Sequence, residues 1–246
     1  MDIQKLGNRY PRIPNPESRP LSMPLRGLLF DMGDIFYDAT PWRRTITAAL
    51  VERGVAIEFP DFVRRWEGEL VPVYLGQKPY WDAFTELLAK FALDARQREE
   101  IQIIAAEKAR AVEKRTLFPG VAETLAELHR RGLKLAVLSD TESREPRVRE
   151  RLAAMSIEQH FEAVVTSVDI GYVKPMPEAF ATALDRISVP KAAAAFVGHD
   201  EDELAGAKAF GLVTVAYNFN PGIVADHYLS DFSELLDLAS AEARHQ

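Results

Sequence analysis

The sequence predicts an α/β protein: a doubly wound parallel sheet of Rossmann type into which an all-helical cap is inserted. Three observations carry this expectation. Short, continuous apolar runs recur along the chain, helical periodicities separate most of them, and residues 39–114 hold four helical patterns with no strand-like run between them.

The first apolar run, residues 25–30, is stopped by Asp31 and Gly33. Four more follow at 133–138, 163–166, 194–197 and 212–217. Unbroken apolar runs of this length suit strands covered on both faces, as in a parallel sheet. Between them, residues 121–131 place Val121, Leu125 and Leu128 on one helical face, and Gly132 ends the pattern. Residues 177–187 and 203–210 read the same way, the latter closed by Gly211. The inserted patterns run over 41–53, 59–75, 79–91 and 95–114, and Pro119-Gly120 marks the return to strand–helix alternation. Residues 230–243 read as a closing surface helix. The expected division is an extended Pro-rich segment over 1–24, a cap over 39–114, and a core built from 25–38 and 115–246. Pro11, Pro14, Pro16, Pro20 and Pro24 set the character of the first segment.

Composition narrows the function. A net charge of −7 disfavours nonspecific nucleic-acid binding and an anionic membrane surface, while leaving room for a local cationic pocket. No apolar run approaches the ~20 residues of a membrane helix, and the N-terminus lacks the apolar core of a signal peptide. The chain has no cysteine, so disulfides and thiolate chemistry are excluded. A cytoplasmic protein acting on a small anionic molecule is the expectation.

Ligands of open parallel sheets bind at the carboxyl ends of the strands, near the point where strand order reverses. The polar residues at those ends are Asp31, Ser139-Asp140 and His199-Asp200, with Lys174 in the loop beyond the third run. Singly, each has a bland reading: a strand-ending Asp is often a turn cap, and an acidic stretch such as 201–203 is often a first helical turn stabilised by the helix dipole.

Jointly they resemble the four-part signature of the haloacid dehalogenase superfamily, over about residues 25–230. Leu28-Leu29-Phe30-Asp31-Met32-Gly33-Asp34-Ile35 is similar to its nucleophile motif, and Val137-Leu138-Ser139-Asp140 to its hydroxyl motif. Val173-Lys174-Pro175 is similar to its lysine motif, and Gly198-His199-Asp200-Glu201-Asp202-Glu203 to its acidic motif. The resemblance implies a phosphatase that acts on a small phosphorylated metabolite through an aspartyl phosphate formed on Asp31. Lys174 and Ser139 would hold the transferred group, and Asp140 would lie among the substrate contacts. Magnesium would bridge nucleophile and phosphate through oxygen donors. Its expected ligands are Asp31, the Gly33 carbonyl, His199, Asp200 and Asp202.

Two positions depart from the family pattern. Gly33 stands where its phosphatases carry a second aspartate as acid and base; Asp34 could take that role or merely cap the turn. His199 stands where a metal-binding aspartate is usual. It could be a ligand for a softer cation, an acid–base group or a structural histidine. Both departures keep open a metal-independent 2-haloacid dehalogenase, and a non-catalytic protein that retains the fold. In the cap, Arg43 and Arg44 are the candidate anion contacts, with Trp42, Tyr74, Tyr80 and Trp81 as aromatic neighbours.

Overall fold

The computed structural model describes residues 24–111 and 115–240. The Pro-rich segment before Pro24, residues 112–114 at the expected end of the fourth inserted pattern, and the residues beyond 240 therefore lie outside the described residues.

Six strands form one parallel sheet: β1 (Gly27–Phe30), β2 (Lys134–Ser139), β3 (Ala163–Thr166), β4 (Ala194–Gly198), β5 (Val213–Tyr217) and β6 (His227–Leu229). Their order is β3-β2-β1-β4-β5-β6. The chain winds outward from β1 through β2 and β3, crosses to β4 on the other side of β1, and winds outward again. The reversal falls between β1 and β4, which pair as Phe30 with Val197, and Asp31 follows directly, its N–H donating to the Val197 carbonyl at 3.0 Å. Local pairing thus fixes the first candidate residue at the topological switch point.

Alternation along the strands divides the core. Leu28, Phe30, Leu135, Val137 and Val197 face a layer formed by α5 (Val121–Arg130), α6 (Glu145–Ala154) and α10 (Leu235–Ser240). Leu29, Ala136, Leu138 and Phe196 face α8 (Pro177–Ile187) and α9 (Glu201–Phe210). A one-turn helix, α7 (Ser167–Ile170), follows β3.

The helices α1 (Pro41–Glu52), α2 (Phe59–Tyr74), α3 (Tyr80–Ala89) and α4 (Ala95–Ala111) come in succession between β1 and α5. They have an apolar core of their own, centred on Trp42, Ile46, Phe62, Trp66 and Phe84. Trp42 donates its indole N–H to the Ala105 carbonyl at 3.0 Å, tying the first of these helices to the last. No described helix is long and apolar enough to cross a membrane.

Besides the one-turn α7, β6 and α6 escape sequence reading. β6 is a three-residue edge strand, His-Tyr-Leu, too short and too polar to read as an apolar run. α6 is highly charged and buries only Val148 and Leu152, one i,i+4 pair, which is too sparse for a periodicity argument.

Helix α9 lies against the Lys174 loop so closely that only glycine fits at position 206. A Cβ there would stand 2.3 Å from Pro175 Cβ and 2.9 Å from the Pro175 carbonyl oxygen. Gly206→Ala is therefore expected to destabilise the fold. A mid-helix alanine gains up to about 1 kcal/mol in propensity, but overpacking against a rigid proline ring costs about 1–3 kcal/mol. Thermal melting should show a lower Tm, accompanied by reduced turnover as the Lys174 loop is pushed aside.

Candidate active site

The site is assembled around one buried ammonium. Lys174 Nζ donates to Asp31 Oδ1 at 2.5 Å and to the Leu138 carbonyl at 3.1 Å, and Glu203 Oε2 lies 3.2 Å away. Its side chain has no exposed surface. The Lys174 backbone is held as well: its N–H donates to Asp140 Oδ1 and Oδ2 at 3.2 and 3.1 Å. Residues from β1, the β2 end, the loop before α8 and the first turn of α9 thus converge on one side chain.

Burial and charge oppose each other here, and the signs of the shifts say which prevails. Burial raises the Asp31 carboxyl, but the Lys174 charge and the His199 contact hold it well below the ordinary carboxylate range. Burial lowers the Lys174 ammonium, yet Asp31, Glu203 and Asp140 together push it above the usual lysine value. Glu203 goes the other way. Its burial, relieved only in part by Lys174, lifts it to about 8, and its Oε2 is buried without a hydrogen-bond donor. Asp140 is raised to about 6, again by burial first.

His199 opens onto the other side of the nucleophile. Its Nε2 lies 3.6 Å from Asp31 Oδ2. Burial alone would lower the imidazole; the Asp31 carboxylate beside it, followed by the charges of Asp34 and Glu203, raises it to about 9. At neutral pH the ring is a cation. Both oxygens of Asp31 therefore face positive nitrogen.

These groups line a cavity of about 840 Å³ that reaches from the strand ends to α1–α3. Ser139 and Asp140 lie on its wall beside Met32, Gly33 and Asp34. Asp34 has φ 55. Its Oδ1 accepts the Ala39 N–H at 3.1 Å, and its carbonyl accepts from Asn218 Nδ2 at 2.9 Å. The carboxylate closes the 34–39 turn, the capping alternative of the two. Arg43 reaches the cavity and pairs with Glu67 at 3.2 Å. Arg44 does not. It is exposed, bonded to Thr40 Oγ1 at 3.1 Å and stacked 4.5 Å over Phe59, because it follows Arg43 by one helical step of about 100°.

Strands β1–β4 and helices α1–α9 fall within a match to known proteins. The family described as haloacid dehalogenase-like hydrolase matches residues 25–211. The chain belongs to that family. A phosphoglycolate phosphatase of Pectobacterium atrosepticum is 27% identical over 229 residues, spanning 90% of this chain and 95% of its own. A HAD hydrolase of Bacillus subtilis, solved bound to magnesium, superposes with a TM-score of 0.68 at 18% identity, covering 89% of this chain and 100% of its own. The L-2-haloacid dehalogenase of Xanthobacter autotrophicus, with chloropropionic acid covalently bound, gives 0.61 at 17% identity, covering 89% and 99%. At these identities the two structures speak to the fold alone.

Within this haloacid dehalogenase-like hydrolase, the expected magnesium ligands do not converge. Asp31 Oδ1 is taken by Lys174, and its Oδ2 faces an imidazolium. Asp200 Oδ1 caps α9, accepting from the Asp202 and Glu203 amides at 2.9 and 3.2 Å. Among the described residues no group of three or more His, Cys, Asp and Glu side chains is placed to hold a metal ion. Magnesium prefers a compact octahedron of oxygens and repels a neighbouring cation, so this donor set does not fit it.

Sequence reasoning missed Glu203, which reads as one of three acids in a first helical turn. The usable signal was helical phase: Glu203 and the buried Ala207 stand four apart, which puts Glu203 on the inward face. Arg115 and Arg151, also on the cavity wall, carried no such signal, since one follows the helical insertion and the other sits on the unread α6.

Lys174→Met is expected to destabilise the protein by about 3–5 kcal/mol, because it leaves the Asp31 carboxylate buried without the ammonium that holds it ionised. The sign with pH follows from the same loss. The Asp31 carboxyl rises in the variant, so protonation relieves the penalty in acid. Urea unfolding should show the larger deficit at pH 8 and a smaller one at pH 5.

Proposed function

We propose that the protein is a phosphatase for a small phosphorylated metabolite, with Asp31 as nucleophile and Lys174 and His199 as the charges that make its attack feasible. The observation that carries this reading is the pairing of one Asp31 oxygen with Lys174 at 2.5 Å and the facing of the other by His199 at 3.6 Å. An anionic carboxylate meets an anionic phosphate only where positive charge is already in place. The phosphatase relatives, matched along nearly their full length, favour phosphorus over carbon as the electrophile.

In the first step an Asp31 oxygen bonds to phosphorus and the ester P–O bond breaks. The imidazolium of His199 gives its proton to the departing alkoxide. The alcohol leaves, and an aspartyl phosphate remains, its oxygens facing Lys174 and Ser139. In the second step neutral His199 takes a proton from water as the water oxygen attacks phosphorus. Inorganic phosphate departs, and Asp31 is again a carboxylate beside an imidazolium. His199 rather than Asp34 is given the acid–base role, because the Asp34 carboxylate is engaged in its turn. Asp140 serves as a positioning group, acting through the Lys174 backbone. The helices α1–α4 act as a cap, closing over the strand ends so that bulk water is excluded.

No step in this scheme is assigned to magnesium, since the donor set described above does not suit it. Turnover is expected to persist in EDTA and to gain little from added magnesium, manganese or cobalt. Strict dependence on any of them would overturn the role given to His199.

A second reading rests on Gly33 and His199 together. Displacement at carbon needs no second carboxylate and no phosphate-bound cation, so a 2-haloacid is the alternative substrate. Chloride release from 2-chloropropionate, set against phosphate release from a panel of monoesters, separates the two.

Asp31→Asn should lower phosphate release by at least about 10³-fold, and full retention of turnover would end the scheme. His199→Gln should slow esters with poor alkoxide leaving groups by about 10²–10⁴-fold and p-nitrophenyl phosphate far less, since that leaving group needs no proton. In the wild type, kcat/KM should fall as pH rises through about 9, where the imidazolium deprotonates. The acid limb should lie below the usual carboxylate range, where Asp31 protonates. The upper limb should be missing from the variant.

A further inference from the structure

The cavity wall carries two cations that the scheme above leaves unused. Arg115 follows the helical insertion and Arg151 projects from α6, and both line the cavity that holds Asp31. They flank Tyr37. The Arg115 guanidinium carbon lies 4.7 Å over the Tyr37 ring. The Tyr37 hydroxyl, raised chiefly by burial, feels Arg115 and Arg151 as its two attractive charges and also feels Asp31. The two arginines are thus beside the reaction centre rather than on the outer surface.

What distinguishes them is the weakness of their pairing. Arg43 has Glu67 at 3.2 Å, and Lys174 has Asp31 at 2.5 Å. Arg115 Nε is shut off from solvent and has no acceptor. The carboxylate partner of Arg151 is Glu142, at 3.9 Å. Burial, and then the like charge of Arg115, draw Arg151 below the ordinary guanidinium value despite Glu142. Two guanidiniums held near each other, partly desolvated and short of acceptors, cost free energy unless an anion is to be bound between them.

We infer that Arg115 and Arg151 form a second anion subsite that grips a carboxylate or second phosphate on the substrate, at the end away from the reacting phosphate. This rests on the phosphatase reading and adds its substrate class: a short phosphate ester carrying a second anionic group. A planar guanidinium suits this role, because its parallel N–H groups match a carboxylate or phosphate edge.

The test is a selectivity ratio. KM is measured for 2-phosphoglycolate, for ethylene glycol bisphosphate and for 2-hydroxyethyl phosphate, which has the same skeleton without the second charge. The wild type is expected to favour one or both doubly anionic esters over the uncharged one by at least about 10-fold, the range of a charge-assisted hydrogen bond. Arg115→Gln and Arg151→Gln should each collapse that ratio by about 10-fold or more. A wild type without the preference, or variants that keep it, would overturn the subsite. Should a glutamine variant fail to fold, the lysine variant carries the test: its point charge cannot grip an anion at two places, so the ratio must still fall several-fold or the inference is wrong. If the wild type hydrolyses none of the three esters, it is the phosphatase reading that fails. The subsite is then read by calorimetry on Asp31→Asn: a preference for the doubly anionic esters that Arg115→Gln removes sustains it, and equal affinities end it.

Discussion

Most of this structure is constrained by the need to keep one ammonium charged where water cannot reach it. Moving an unpaired lysine head group out of water would cost several kcal/mol even after relaxation. Three acids and a carbonyl surround Lys174, drawn from three parts of the chain: Asp31 after β1, Leu138 and Asp140 at the end of β2, and Glu203 on α9. The requirement reaches well beyond the side chain. Asp140 fixes the Lys174 backbone, Gly206 lets α9 approach Pro175, and the β1–β4 pairing sets the height of Asp31. A change at any of these points moves the charge relative to its partners, so the architecture and the reactive centre cannot be varied independently.

The excess of acid over base around Lys174 has a further consequence. Asp31, Asp140 and Glu203 cannot all ionise beside a single cation in a poorly solvated space, and their shifts part accordingly: Asp31 falls, while Asp140 and Glu203 rise. The proton that Glu203 retains near neutrality keeps Asp31 as the ionised member of the group. A second cation, His199, sides with Asp31 again. The carboxylate that the whole cluster favours in its charged form, Asp31, lines the cavity at the strand ends.

Sequence legibility followed the strength of the physical signal. The parallel sheet was readable because strands buried on both faces leave unbroken apolar runs, and the four inserted helices were readable because each buries a stripe against its neighbours. Residues at strand ends were also legible, since topology alone brings Asp31, Ser139 and His199 to one edge. Where a side chain's direction depends on helical phase, the sequence was less informative. Arg43 and Arg44 look equivalent as letters, yet one helical step sends Arg43 to the cavity and Arg44 to Phe59 and solvent. Glu203 was lost among its acidic neighbours for the same reason. α6, with a single apolar pair, hid Arg151 entirely.

The two departures at positions 33 and 199 make better sense together than apart. Removing a carboxylate at 33 takes away a negative charge and a proton carrier; placing an imidazole at 199 supplies a positive charge and a proton carrier within reach of the same nucleophile. The first change alone would leave a leaving group without an acid. The second alone would set an imidazolium against a divalent cation, each repelling the other across a few ångströms. Under the proposed scheme, they exchange an external cation for one built into the chain and move the proton source from the turn following Asp31 to the end of β4. The neighbouring acids then act differently. Asp200 caps α9, while Asp31, and behind it Asp34, hold the imidazole in its charged form. The motif is altered in letters but still sets a positive charge facing Asp31, which the carboxylate needs before it can approach a second anion.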